Sequence, residues 1–136
     1  MFNDIYKGKK VLVTGHTGFK GAWLTAWLLN LGANVIGVSR DIPTKPSMFE
    51  ILKLHKKMSQ YIVDIRDIDR LSQIVSNEKP DFVFHLAAQA IVSTSYNEPI
   101  ETISSNVIGT VNLLESLRIS NHKCTAIIIT SDKAYD

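Results

Sequence analysis

Short apolar runs alternate along this chain with stretches whose apolar residues recur every three or four positions. The first short run, residues 10–14, is bounded by lysines and then glycines, as is typical of a strand buried on both faces of a sheet. The predicted strands cover residues 10–14, 34–39, 60–63, 81–86 and 125–130. Helical spacing predicts helices over residues 21–31, 48–54, 67–76 and 100–119.

The helix over residues 100–119 is predicted to be the longest. It follows Asn97, a candidate N-cap, and has Pro99 near its first turn. Residues 41–46 contain two prolines and break any regular pattern, so a surface loop is predicted before the short helix at residues 48–54.

Alternating strands and helices predict a doubly wound α/β fold with a parallel sheet. Parallel neighbours need crossover connections, and such connections are almost always right-handed. The expected architecture is a Rossmann-type sheet with strand order 3-2-1-4-5. A complete fold of this type has further elements, so we expect the chain to be truncated after the fifth strand, at Asp136.

Composition narrows the class of protein. A chain of 136 residues with 45% hydrophobic content can fill one domain core. The net charge of +2 is spread among interspersed acids and bases, which does not favour a nucleic-acid binder. The polar residues 1–10, the single Cys124 and the lack of an apolar run near the roughly 18 residues of a membrane span predict a cytoplasmic protein outside the membrane.

Three glycines follow the first predicted strand and open the first helix, in the sequence TGHTGFKG at residues 14–21. In a dinucleotide-binding turn Gly15 permits the tight bend, Gly18 lets the backbone approach a pyrophosphate, and Gly21 allows close packing. The helix N-terminus then presents unpaired N–H groups to the anion. The predicted cofactor residues here are Gly15, Thr17, Gly18, Phe19 and Gly21; the alternative is a turn without a ligand.

The ends of the next strands carry further candidates. Ser39 and Arg40 lie where an acid would hold a ribose 2′-hydroxyl and an arginine would accommodate a 2′-phosphate, so the choice between NAD and NADP stays open. Asp64 is placed either to meet the adenine edge or to cap the following helix. Residues 85–89 (HLAAQ) are mostly small, which predicts that Leu86, Ala87, Ala88 and Gln89 pass close to the nicotinamide-side ribose. His85 is interpreted as a packed strand histidine, and the scattered histidines predict no metal site.

Four segments together resemble the extended short-chain dehydrogenase/reductases: residues 14–21, 64–67 (DIRD), 85–89 and 106–115 (NVIGTVNLLE). The resemblance implies that Asn106 helps to order the active site. It also brings Ile65 and Thr130, which lie in or beside the matching segments, into the predicted cofactor site. Residues 1–136 would then be a partial NAD(P)-binding Rossmann domain, with the rest of the substrate site in an absent C-terminal part.

Residues 43–50 (PTKPSMFE) and 130–135 (TSDKAY) further resemble the branch of this family that dehydrates CDP-glucose. Relatives that act on dTDP-glucose carry an Asp-Glu pair where this chain has Asp132 and Lys133, and the epimerases have small residues there. The resemblance implies NAD as a regenerated cofactor, a nucleotide-sugar substrate, a role in polysaccharide biosynthesis, and a homodimer formed through the helix over residues 100–119. Arg40 keeps NADP open.

The same resemblance implies a mechanism in which hydride leaves carbon 4 of the glucose, water is eliminated across carbons 5 and 6, and hydride returns to carbon 6. Ser131 would hydrogen-bond the 4-oxygen, Asp132 would protonate the departing 6-hydroxyl, and Lys133 would remove the carbon 5 proton. Without the resemblance, Asp132 and Lys133 could equally form a surface ion pair. The family's Tyr-x-x-x-Lys pair is expected beyond residue 136, so these residues alone are expected to be inactive.

Two other functions remain open. The first is an NAD(P)-dependent epimerase or reductase acting on another nucleotide sugar, which would not need the elimination chemistry of Asp132 and Lys133. The second is a dinucleotide-binding module without catalysis.

Overall fold

The computed structural model of the chain describes residues 1–131, and these form one five-stranded parallel sheet. The strands are β1 (Lys10–Thr14), β2 (Asn34–Ser39), β3 (Ser59–Ile62), β4 (Phe82–His85) and β5 (Thr125–Ile128). Their order is β3-β2-β1-β4-β5, and every neighbouring pair is parallel. The predicted doubly wound α/β fold and strand order are therefore confirmed.

Helices cover both faces of this sheet. They are α1 (Phe19–Asn30), α2 (Met48–Ile51), α3 (Ile68–Glu78), α4 (Val92–Asn97), α5 (Pro99–Ile103) and α6 (Gly109–Ser120). On one face Leu12 packs with residues of α3 and α6, whereas Val11 and Val13 pack with Leu28 of α1 on the other. Because β1 is buried on both faces, its sequence is a continuous apolar run rather than an alternating one.

Several predicted boundaries are off by one to three residues. The third strand begins and ends one residue earlier than predicted, and the fourth and fifth are shorter than the apolar runs that contain them. The short helix ends at Ile51, because Lys53 takes a left-handed conformation with φ 51° before a separate 3₁₀ turn, Leu54–Lys56. One backbone hydrogen bond continues past each of β4 and β5, from Leu86 to Thr14 and from Ile129 to His85, so the ends of these strands are ambiguous by a residue or two.

The helix predicted over residues 100–119 is present from Pro99 to Ser120, but it is not a regular α-helix along its whole length. Helical structure runs from Val92 to Ser120, but it breaks at Glu98 (φ −131°, ψ 62°) and widens into a π-helical turn, Ser104–Ile108. The proline ring of Pro99 disfavours helical geometry at the preceding residue, which explains the break. Asn97 therefore ends α4, and Glu98 is the N-cap of α5.

Within residues 1–131, no helix has both the length and the apolar character that crossing a membrane requires.

Candidate functional site

A cleft with a volume of about 510 Å³ lies at the carboxyl ends of the strands. It opens beside β1 and β4, where the strand order reverses direction, and such switch points are the usual ligand sites of open α/β sheets. Its volume falls in the range of sites for small molecules and cofactors. The predicted site residues that line it are Gly15, Thr17, Gly18, Ser39, Arg40, Asp64, Ile65, Leu86, Ala87, Ala88 and Gln89.

The glycine turn, residues 14–21, packs too closely for side chains at two of its positions. Gly15 has φ +74°, and a Cβ atom there would lie 2.8 Å from the backbone nitrogen of Ala87. A Cβ atom on Gly21 would lie 2.0 Å from the carbonyl oxygen of Gly15. Gly18 is the N-cap of α1 and supplies no side-chain cap, so the first helical turn presents backbone N–H groups towards the cleft.

Buried polar side chains support the turn from beneath. His16 is fully buried, and its Nδ1 atom lies 2.8 Å from the hydroxyl oxygen of Ser39. The Thr17 hydroxyl donates to the carbonyl oxygen of Asp41 at 2.6 Å. Burial lowers the pKa of His16 below its ordinary value, so this imidazole is held neutral. Ser39, predicted as a cofactor contact, is thus also a partner of His16.

The cleft floor, residues 86–89, is fixed through His85, which is buried at the end of β4. The hydroxyl of Thr110 donates to the carbonyl oxygen of Asn106 at 2.7 Å, so it must accept from Nε2–H of His85 at 2.9 Å. The Nδ1 atom of His85 then accepts from the hydroxyl of Thr14 at 2.6 Å. The Thr14 oxygen in turn accepts backbone N–H groups from Leu86 and Ala87.

This network assigns the neutral Nε2–H tautomer to His85. Burial lowers the pKa of His85 to about 4. This agrees with a neutral imidazole whose Nδ1 atom already accepts a hydrogen bond from Thr14. The interpretation of His85 as a packed strand residue agrees with this geometry.

Asn106, in the wide turn before α6, holds the far end of the cleft floor. Its Oδ1 atom accepts the backbone N–H of Gln89 at 2.7 Å, and its amide donates to the Gln89 carbonyl oxygen at 2.9 Å. The Gln89 side chain bonds the backbone of Ile91 and the hydroxyl of Thr102, so its amide is used within the protein. Asn106 therefore contacts the floor rather than lining the cleft.

At the opposite end of the cleft, five side chains form a cluster that we call the charged rim: Arg40, Asp41, Asp64, Arg66 and Glu101. Arg66 binds Asp64 through two nitrogens, at 3.0 and 2.6 Å, and Glu101 at 2.5 Å. Glu101 also accepts from Arg40 at 2.9 Å. Asp64 does not cap the following helix, because Asp67 is the N-cap of α3.

The rim arginines shift the titration of their partners. The hydrogen bond from Arg66 lowers the pKa of Asp64, and the bonds from Arg66 and Arg40 lower the pKa of Glu101. The Asp64 and Glu101 carboxyl groups are therefore paired as anions near neutral pH. Arg40 also forms an ion pair with Asp41.

Some predicted site residues lie away from the cleft. Phe19 is 73% exposed and lines a separate apolar groove with Trp23, and Gly21 packs beneath Gly15. Thr130 and Ser131 are exposed residues that follow β5. Asp132 and Lys133 lie outside the described residues.

Sequence reasoning missed several residues that line the cleft, and those residues are Asp41, Pro43, Ala90, Ile91, Thr94, Glu98, Glu101 and Ser105. It also missed Arg66, although this residue lies within the DIRD segment. Glu101 had no local signal, because it is 61 residues from Arg40 and meets it only in the folded chain.

The fold and the glycine turn define a Rossmann-type domain with its cleft at the switch point of a parallel sheet. The chain belongs to the GDP-mannose 4,6 dehydratase family, whose sequence profile matches residues 12–135.

The chain is also similar to individual proteins of known activity. The chain is 50% identical to CDP-glucose 4,6-dehydratase of Salmonella typhimurium, in a match that covers 98% of this chain and 37% of that protein. It is 33% identical to CDP-paratose 2-epimerase of Salmonella typhi, over 93% of this chain and 38% of that protein. The resemblance to CDP-glucose 4,6-dehydratase that the motifs predicted is therefore confirmed.

Among solved structures, UDP-glucose-4-epimerase from Stenotrophomonas maltophila, with bound NAD and formylated UDP-arabinopyranose, matches with a TM-score of 0.80 and 26% identity. This match covers 92% of the present chain and 38% of that one. The chain thus spans less than two fifths of the length of the relatives described here.

Proposed function

We propose that residues 1–136 form the nicotinamide-dinucleotide-binding portion of a CDP-glucose 4,6-dehydratase that uses NAD. The observation that carries this proposal is the 50% identity to CDP-glucose 4,6-dehydratase across 98% of the chain. The rest of the substrate site, with the family's Tyr-x-x-x-Lys pair, would be supplied by chain that follows residue 136.

The geometry of the cleft fits a dinucleotide. Gly15 and Gly21 leave no room for Cβ atoms, so the turn brings backbone close to the cleft, and the first turn of α1 points N–H groups at a pyrophosphate. The charged rim would meet the adenosine end. The cleft floor, held by His85 and Asn106, would lie beside the nicotinamide-side ribose. When bound, the cofactor supplies a reversible hydride acceptor.

Asp132 and Lys133 are proposed to carry the elimination. A carboxyl group at Asp132 would protonate the 6-hydroxyl as it leaves as water, while the Lys133 amine would remove the proton from carbon 5. These groups need opposite protonation states near neutral pH, and an acid beside an amine can be tuned in that way. Ser131 would hydrogen-bond the 4-oxygen. These three roles rest on the resemblance of residues 130–135 to the CDP-glucose branch.

The test is mass spectrometry of CDP-glucose incubated in D₂O with NAD and the natural full-length protein. Loss of one water with uptake of one solvent deuteron is expected, and Asp132→Asn and Lys133→Met should each slow this reaction by at least about a hundredfold. Lys123→Met, at an exposed position before β5, is the matched control and should retain the wild-type rate. Unchanged CDP-glucose, alongside turnover of UDP-glucose or GDP-mannose, would contradict the substrate assignment.

A nucleotide-sugar epimerase is the second candidate, because the relatives include CDP-paratose 2-epimerase and the solved UDP-glucose-4-epimerase. An epimerase would return a sugar of unchanged composition, so the same mass measurement separates the two functions. Binding of NAD without conversion of any of these sugars would indicate a dinucleotide-binding module.

We further propose that the full-length protein is a homodimer formed through α5, the π-helical turn Ser104–Ile108 and α6. Five apolar side chains at intervals of three or four residues are exposed there, between 46% and 83%: Ile100, Ile103, Val107, Val111 and Leu114. A continuous apolar stripe of this kind is typical of a helix that pairs with another surface. Sedimentation should show Val111→Glu shifted towards monomer, whereas Val92→Glu, on α4, stays with the wild type.

A further inference from the structure

Arg40 directly follows β2. With this residue, the sequence alone did not distinguish a site for NAD from a site for NADP. In the folded protein its guanidinium group is already engaged. Its Nε atom donates to Asp41 at 3.1 Å, and one terminal nitrogen donates to Glu101 at 2.9 Å. Both partners are carboxylates that line the same cleft.

The charged rim as a whole carries an excess of negative charge. Arg40 and Arg66 supply two positive charges, while Asp41, Asp64 and Glu101 supply three negative ones. A ribose 2′-hydroxyl can donate a hydrogen bond to a carboxylate. A 2′-phosphate cannot, and like charges placed side by side are unfavourable.

We propose that Glu101 is a positioning residue that makes the site select NAD over NADP, because it holds Arg40 in an ion pair and so withholds it from a 2′-phosphate. This inference rests on the proposed nicotinamide-dinucleotide site and deepens it. Glu101 reaches the rim from α5, whereas Arg40 directly follows β2, and the Glu101 carboxylate joins Arg40 to Arg66. Arg66 is held in turn by Asp64, which fixes the position of the Glu101 carboxylate.

The geometry explains why an arginine in this position need not indicate NADP. An arginine accommodates a 2′-phosphate when its planar N–H groups are free to form the bidentate pair. Here the phosphate would have to displace Glu101 from Arg40 and then lie beside the displaced carboxylate. Neutralising Glu101 removes both obstacles and leaves the backbone unchanged.

The experiment compares dissociation constants of NAD and NADP for the natural full-length protein, measured by titration calorimetry. Glu101→Gln should lower the ratio of the NADP constant to the NAD constant by about tenfold, mainly by tightening NADP binding, since one charge is removed near a dianionic group. Glu115→Gln is the matched control. It also breaks an exposed pair with an arginine, Arg118, but lies away from the cleft, so its ratio should stay within about twofold of the wild type.

Two further variants test whether Glu101 acts through Arg40. In an Arg40→Ala background, Glu101→Gln should change the ratio by less than about threefold, because the captured guanidinium is gone. Glu101→Asp keeps the charge on a shorter side chain, and it should retain most of the preference for NAD.

The possible outcomes separate this inference from the proposed function. Wild-type protein that binds neither cofactor would contradict the proposed function itself. Binding of both cofactors with the same ratio in the wild type and Glu101→Gln would overturn the role of Glu101 alone. An equal shift in the presence and absence of Arg40 would overturn the mechanism through the ion pair.

Discussion

The glycine turn and the charged rim face the same cleft but are held by opposite kinds of interaction. In the glycine turn, backbone atoms pack so closely that Gly15 and Gly21 leave no space for a Cβ atom. In the charged rim, partly exposed side chains are joined by ion pairs, and Arg40 is 56% exposed. The turn would hold the pyrophosphate, which every dinucleotide shares, whereas the rim would meet the ribose at which NAD and NADP differ. Rigid backbone would thus lie at the group that NAD and NADP share, and adjustable side chains would lie at the group in which they differ.

The largest loss of stability is predicted for a substitution in the glycine turn, at Gly21. A Cβ atom there would overlap the Gly15 carbonyl oxygen at 2.0 Å, so Gly21→Ala should lower the free energy of unfolding by roughly 4 kcal/mol or more. The helix propensity that alanine adds, about 1 kcal/mol, is too small to offset this overlap. Urea denaturation of the full-length protein measures the difference.

Gly18→Ala is the control for this prediction. Its Cβ atom would lie 3.4 Å from the Gly15 oxygen, and its φ of −70° suits alanine, so folding should change little. Equal urea midpoints for Gly21→Ala and the wild type would show that the turn is not held by close packing.

The glycine turn could be predicted from the sequence because its three glycines, and the close contact of Gly21 with Gly15, lie within eight consecutive residues. The charged rim could not, since Arg40, Arg66 and Glu101 come from three separate parts of the chain and meet only in the folded sheet. Arg40 alone suggested NADP as readily as NAD. Its partner Glu101 favours NAD by engaging Arg40, but no sequence motif or regular spacing connects Glu101 with Arg40.

The break in the helical segment was hidden for a different reason. Apolar residues continue at helical spacing on both sides of the wide turn Ser104–Ile108, so periodicity alone predicts one helix. The one signal in the sequence was Pro99, which disfavours helical geometry at Glu98. It indicates that α5 begins there, but it does not indicate that α4 precedes it. Asn106 was predicted from the family resemblance, and its two bonds to Gln89 supply a physical reason for its position.

The next largest effect concerns His85, beneath the cleft floor. Its pKa is about 4 in the folded protein against 6.5 as the ordinary value, so the unfolded chain takes up a proton first as the pH falls. The stability from the neutral imidazole is fully present above pH 6.5 and is lost as the pH falls towards 4. The loss should reach roughly 3 kcal/mol.

His85→Gln should remove most of this pH dependence, as measured by urea unfolding at several pH values. His16, whose pKa burial also lowers, should leave a smaller residual slope in that variant. His55→Gln, at an exposed position, serves as the control and should retain the wild-type profile. A His85→Gln profile parallel to that of the wild type would place the pH dependence elsewhere.

Asn106 should have an intermediate effect. Asn106→Ala removes two hydrogen bonds to the backbone of Gln89, and a loss of roughly 2 kcal/mol in the free energy of unfolding is expected. Asn106→Asp keeps the acceptor for the Gln89 N–H but places a carboxylate oxygen against the Gln89 carbonyl oxygen, so it should be at least as destabilising as alanine. If aspartate is clearly less destabilising than alanine, the bond from the Asn106 amide contributes little to holding the floor.

The smallest effect is expected at the charged rim, at Asp64. Asp64→Asn keeps the side-chain shape but removes the ion pair with Arg66, and partly exposed pairs of this kind contribute about 1 kcal/mol or less. Hydrogen bonding from Arg66 lowers the pKa of Asp64, so the stability from this pair is present above pH 3.8 and is lost as the pH falls further. The ion pair between Asp64 and Arg66 should therefore stay intact between pH 4 and 6.5, where the contribution of His85 disappears.

Salt should distinguish the charged rim from the glycine turn more clearly than pH does, because it weakens ion pairs and leaves close packing unchanged. In about 1 M salt the screening length falls to about 3 Å, so the destabilisation caused by Asp64→Asn should shrink, whereas that caused by Gly21→Ala should not. Urea unfolding of both variants at low and high salt makes the comparison directly. If the effect of Asp64→Asn persisted unchanged in high salt, the rim would be held by packing and hydrogen-bond geometry, as the glycine turn is. In that case, removing the charge of Glu101 would not be sufficient to release Arg40.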